Sequence, residues 1–112
     1  MRIERDSLGE MLVPADAYYG VNVQRALENF PISSRRVNPR LISAYCQIKR
    51  AAARVNQAAG RLPKEQAKAI ERAAQEVLSG ALRDQFILDL FQAGAGTSTN
   101  MNVNEVLCNR AL

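Results

Sequence analysis

The chain has 112 residues, enough for one domain with a modest core. At 47% apolar and 23% charged residues it has the balance of a folded, soluble protein, which excludes long disorder. The net charge is +4, and the absence of histidine removes the commonest general acid/base and the commonest zinc ligand.

Chemistry by this chain alone therefore falls to carboxylates, hydroxyls, amines or thiols, and no residue pattern in it asks for a metal or a cofactor. Residues 1 to 16 read as an extended arm, loosely held. Ile3 alternates with charges, Gly9 offers a turn, and "MLVP" is a short apolar run closed by Pro14. The opening "MRIERDSLGE" has no apolar stretch of the signal-peptide kind, and no run long enough to span a membrane follows. A cytoplasmic setting without membrane is expected. From Asp16, "DAYYGVNVQRALENF" suits a short helix with Asp16 as its cap and Gly20 as a weak point; Pro31, Ser33 and Ser34 then mark a loop.

The clearest helix opens at Asn38, a good N-cap, with Pro39 at the first helical position. Leu41, Tyr45, Ile48, Ala52, Val55 and Ala59 recur at spacings of four and three, giving its expected inward stripe, and Gly60 stops it. A second helix begins near Pro63, with Ala67, Ile70, Ala74 and Val77 as its stripe and Gly80 as its end. The short link between them predicts an antiparallel helical hairpin over 38–80, and its many alanines let the two axes approach closely. Between Arg35 and Lys64 lie Arg36, Arg40, Lys49, Arg50, Arg54 and Arg61 with no acid. Such a run is a footprint for nucleic acid or another polyanion, or a solvated helix face. Only Tyr45 interleaves as a stacking aromatic and no nucleic-acid motif accompanies it, so the solvated face is preferred. Cys46 and Cys108 sit inside apolar helical patterns and read as small buried thiols rather than a disulfide.

"FILDLFQ" (86–92) is a buried-looking run too short to type. It leads into "QAGAGTSTNMNVNEV" (92–106). A helix is expected to start between Thr97 and Thr99 and to carry Met101, Val106, Leu107 and Ala111 inward. The chain stops at Leu112 inside that pattern, which suggests a piece of something longer. A helix N-terminus has unpaired N–H groups and partial positive charge, glycines before it admit a ligand to the backbone, and hydroxyls add rotatable donors. Together these suit a carboxylate or phosphate. The dipole contributes roughly 0.3–1 kcal/mol, and each bond to the anion about 1.5–3 kcal/mol. The competing reading is that Thr97 or Thr99 only caps the helix, with Asn102 and Glu105 at capping-box spacing. The loop is neither a P-loop, which ends in Gly-Lys-Ser/Thr, nor a dinucleotide fingerprint, which needs a third glycine.

"GAGTSTNMNVNEVLCNRA" resembles the first shared motif of the aspartase/fumarase superfamily of lyases, and "GEMLVPADAYYGVNVQRALENFPIS" resembles the beginning of the same proteins. The two stretches stand in the family's order with the helical hairpin between them, and cover nearly the whole chain. The fold class expected is mainly α: a small helical domain over 1–112 with an extended arm (1–16), an antiparallel hairpin (38–80) and a glycine loop with its helix (92–112), resembling the N-terminal domain of these lyases. The resemblance implies a long helical homotetramer that cleaves a C–N or C–O bond beside a carboxylate and releases fumarate. It gives Thr97 as the residue that hydrogen-bonds the substrate carboxylate, with Ser98, Thr99 and Asn100 shaping or supporting the pocket, and a dicarboxylate as the partner. Ala95 with Ser98 and the "PADAYYG" stretch follow the aspartate ammonia-lyase branch more than the class II fumarate hydratase branch. Val23 stands where relatives often have Thr. The family's catalytic serine loop, its His-bearing segment and its Lys/Asn carboxylate clamp lie later in the chain than these residues reach, so the resemblance implies no catalytic residue here and no activity of this chain by itself. Its hairpin stripes are then expected to leave apolar surface exposed, with self-association.

Overall fold

A computed structural model describes residues 1–112. Strands β1 (Arg2–Asp6) and β2 (Gly9–Val13) form an antiparallel hairpin in the register Arg2 opposite Val13 and Glu4 opposite Met11. Helices α1 (Val21–Asn29), α2 (Pro39–Ala58) and α3 (Lys64–Leu78) follow, then a single 3-10 turn (Arg83–Gln85) and α4 (Thr97–Ala111). The fold is thus mainly α with a short two-stranded arm, as the sequence patterns imply.

The arm does not hang free. Its inward positions are Arg2, Glu4 and Asp6, while Ile3 points outward and is 65% exposed. The irregular stretch after β2 leaves carbonyls without ladder partners, and the Arg2 guanidinium collects them: Pro14 O at 2.8 Å, Ala17 O at 2.7 Å and Tyr19 O at 2.7 Å. Asp6 takes a two-pronged bond from Arg25 of α1 (2.9 and 2.8 Å), and this guanidinium holds the carboxyl below its ordinary range. The expected loose arm is therefore corrected to a tied one. The alternation at Ile3 was legible, but the charged side faces the body because it has unpaired backbone to satisfy.

Asn38 caps α2 by accepting from Arg40 N at 2.9 Å, with Pro39 at the first helical position. The α2–α3 pair is antiparallel: Arg50 bonds Gln75 and Arg54 pairs with Glu71, one index rising as the other falls. Ala53, Ala67, Ala73 and Ala74 are buried, so small side chains set the close approach. Along α3 the expected stripe is right, with Ala67, Ala74 and Val77 buried and Ile70 half-buried. Along α2 it is displaced by one residue. Ile42, Cys46 and Ala53 go inward, whereas Leu41, Ile48 and Val55 are 47%, 61% and 66% exposed. Both stripes have helical period, so periodicity alone does not choose between them. The core closes over Val13, Tyr19, Val23, Ile42, Cys46, Val77, Phe86, Leu88, Val103, Val106 and Leu107.

Two further expectations change. The helix anticipated from Asp16 starts at Val21, with Gly20 as its N-cap and no side-chain cap from its own chain end. Cys46 is buried, and that burial pushes its thiol up to about 11 against the opposing Arg83 charge. Cys108, expected inside, is exposed, because α4 turns its Val103–Val106–Leu107 face to the core.

Candidate functional site

The segment before the glycine loop is extended and pinned. Leu90 N donates to Arg35 O at 2.8 Å, and Arg36 and Asp89 form an isolated bridge. Asp89 is buried within the apolar run, and a buried carboxylate needs donors. It has them: the N–H groups of Ser33 (2.6 Å), Ser34 (2.9 Å), Phe91 (2.9 Å) and Ile32 (3.2 Å), and the Ser33 hydroxyl (2.8 Å). The Phe91 N–H above all, then the Ser33 and Ser34 donors, hold its carboxyl well below the ordinary range against the opposing effect of burial.

Gln92 continues the chain of contacts. Its Nε2 donates to Asp89 O at 3.0 Å, and its Oε1 accepts from both Thr99 N (3.0 Å) and Thr99 Oγ1 (2.9 Å). Between these anchors the chain makes a tight loop, with Gly94 at φ 70° and Gly96 at φ 81°. Both lie in the left-handed region, where a side chain would be strained. Gly96 is the N-cap of α4 and brings no side chain to it.

The sequence-derived residues separate on this frame. Thr97 is exposed and Ser98 half-exposed. Their two N–H groups and two hydroxyls make no hydrogen bond within the chain. Thr99 is buried, with both its N–H and its hydroxyl spent on Gln92. Asn100 is half-buried, and its N–H makes the first helical bond, to Gly96 O at 3.2 Å. Neither Thr97 nor Thr99 caps α4; the cap comes from Gln92, seven residues before Thr99. The proposed capping box is absent as well. Asn102 donates from Nδ2 to Gln85 O at 3.0 Å, and Glu105 reaches across to α1, accepting from Val23 N at 2.9 Å. Burial raises the Glu105 carboxyl, the N–H groups of Val23, Asn22 and Gly20 oppose this, and the nearby Glu4 adds to it.

Four unspent donors thus lie at the start of α4, and from Gln92 to Asn100 there is no acid, amine or thiol. The arrangement can hold an anion but cannot by itself accept a proton. A concavity of about 570 Å³ lies elsewhere, between α2, α3 and the far end of α4, lined by residues such as Ala52, Asn56, Ile70 and Leu107. Its walls are mostly apolar, and the row of unspent donors favours the glycine loop over volume. Gln92 and Asp89 were not assigned roles from sequence. The available signal was an acid inside an apolar run, which must be paired when buried.

A family model described as "Lyase" matches residues 9–111. An aspartate ammonia-lyase of Bacillus sp is 54% identical over 112 residues, which are 100% of this chain and 24% of that protein. A class II fumarate hydratase of Thermus thermophilus is 56% identical over 112 residues, 98% of this chain and 24% of that protein. Among solved structures, a fumarate lyase:delta crystallin from Brucella melitensis aligns with a TM-score of 0.97 at 47% identity, covering 100% of this chain and 26% of that one. The chain spans about a quarter of the length of the curated relatives it matches.

Proposed function

This chain belongs to the lyase family, within the aspartase/fumarase superfamily, and from that premise we propose that it supplies one wall of an active site that converts L-aspartate to fumarate and ammonia. The observation that carries the reading is the pair of free N–H groups and free hydroxyls at Thr97 and Ser98, on a helix N-terminus capped from elsewhere. Removal of a proton beside the carboxylate would make that group a dianion. Donors already aimed at it require no reorganisation as the charge grows, and in many enzymes such fixed donors lower the barrier more than any other single effect. The attraction of these donors grows with the charge on that group, so they hold the dianionic transition state more tightly than the bound substrate. In this proposal Thr97 makes the leading contact and Ser98 the second, while Thr99 and Asn100 shape the wall from behind. The proton acceptor and the leaving-group machinery belong to parts of a lyase outside these residues. The working enzyme is proposed to be a cytoplasmic homotetramer.

Ala95 and Ser98, with the "PADAYYG" stretch, favour the aspartate branch. The class II fumarate hydratase reading, with malate as substrate, stands second because relatives of both names match at similar identity, 54% and 56%. The test is to replace the matching residues of the Bacillus aspartate ammonia-lyase with this chain and assay on L-aspartate and L-malate. Turnover of L-aspartate that falls at least tenfold on Thr97→Val, with an unchanged melting temperature, is expected. An active chimera indifferent to Thr97→Val refutes the site. The 112-residue chain alone is expected to turn over neither substrate.

A further inference from the structure

The side chain of Gln92 governs how the donors at Thr97 and Ser98 are made available. A helix begins with four N–H groups lacking intrahelical partners, and the usual cap is the side chain of the residue just before the helix, which takes one of the second or third N–H groups. Here that residue is Gly96, which has none to offer. Gln92 takes its place from outside the loop: its Oε1 accepts from the third N–H, at Thr99, and from the Thr99 hydroxyl, while its Nε2 donates to Asp89 O. A single amide thus ties both feet of the Ala93–Gly96 loop, one to the strand-like segment held by the Asp89 carboxylate and one to the helix. The first and second N–H groups, at Thr97 and Ser98, are left without partners in the chain.

From this geometry, and resting on the site reading above, we propose that Gln92 is a positioning residue: it caps α4 remotely and neutrally, so that the Thr97 and Ser98 donors stay free and fixed for a substrate carboxylate. Two features of glutamine are needed at once. The position requires an acceptor toward Thr99 and a donor toward Asp89 O, which a carboxylate does not combine. It also requires neutrality, since a negative charge beside the helix start would compete with an incoming dianion for the same positive end.

Two variants separate these roles. In the 112-residue chain, Gln92→Leu is expected to strip the Thr99 amide of its protection from hydrogen exchange, and Gln92→Glu to retain it. In the chimera described above, Gln92→Leu is expected to lower kcat at least tenfold. Gln92→Glu should weaken inhibition by fumarate at least tenfold while Thr99 stays protected, a split that a purely structural role does not produce. Unchanged Thr99 protection in Gln92→Leu overturns the proposal. So does a chimera in which both variants keep parental kcat and fumarate inhibition while Thr97→Val is impaired, and that result leaves the site reading standing. A chimera that is inactive, or active but indifferent to Thr97→Val, overturns the site reading and the role of Gln92 with it.

Discussion

Gly20 stands where two carboxylates from distant parts of the chain meet the start of α1. Glu4 Oε1 accepts from Val21 N at 3.0 Å, and Glu105 Oε1 accepts from Val23 N at 2.9 Å. The backbone at Gly20 is extended, at φ −125° and ψ −155°, so alanine is allowed there on conformational grounds. Space forbids it: a Cβ would run into Glu105 Oε2 and stand 2.8 Å from Glu4 Oε1. Both obstacles are tips of flexible side chains and can swing away, so the cost is not the clash but the hydrogen bonds lost when they do. A bond to a charged acceptor contributes about 1.5–3 kcal/mol. Losing most of two, less the roughly 0.4–1 kcal/mol that Gly→Ala gains through the unfolded chain, gives a net loss of about 2–4 kcal/mol. That is a large share of the 5–15 kcal/mol typical of a folded domain, where about 5 is the marginal end. The assay is urea unfolding followed by far-UV circular dichroism, run on Gly20→Ala, Glu105→Ala and the double variant. In the Glu105→Ala background most of the obstruction is gone, and the Gly20→Ala cost should fall by at least half. A Gly20→Ala protein as stable as the parent, or costs that simply add, would refute this account of why glycine is there.

The buried Asp89 and the half-buried Glu105 respond to pH with opposite signs. Asp89 is depressed in the folded chain, so its contribution is present above the ordinary 3.8 and is lost as pH falls through the folded value; Asp89→Asn should flatten the acid limb of the stability–pH curve. Glu105 is raised, so its contribution is full below the ordinary 4.5 and is lost as pH rises through the folded value; the parent should lose ground to Glu105→Gln between acid and neutral pH, as read by urea midpoints. Of the two thiols, only Cys108 should react with an alkylating reagent under native, mildly alkaline conditions, since Cys46 is 0% exposed and its thiol is pushed up to about 11; mass spectrometry counts the adducts. Ile48→Gln and Val55→Gln should change stability by less than about 0.5 kcal/mol, and should lower self-association in sedimentation runs, because both side chains are already exposed.

Much of the fold is legible in the residues. Asn38 and Pro39 mark the start of α2 because capping is local chemistry, decided within one turn. The α3 stripe follows from period and alanine content, and the glycine pair at 94 and 96 announces a backbone that other residues resist. What was missed has a common cause. The inward face of α2, the exposure of Cys108 and the anchoring of the arm by Arg2 all depend on which surface another element covers.

The candidate site divides along the same line. Sequence alone determines that Thr97 to Asn100 open a helix after two glycines, with no base beside them, and that the surrounding motif is that of a lyase. These follow from residue type and order. Only the tertiary structure decides which of the four residues is free. Thr99 is consumed by Gln92, Gln92 is braced on Asp89, and Asp89 is held by the Ser33–Ser34 loop more than fifty residues earlier. A hydrogen bond has one donor and one direction, and which group reaches it first is settled by where the folded chain brings each one.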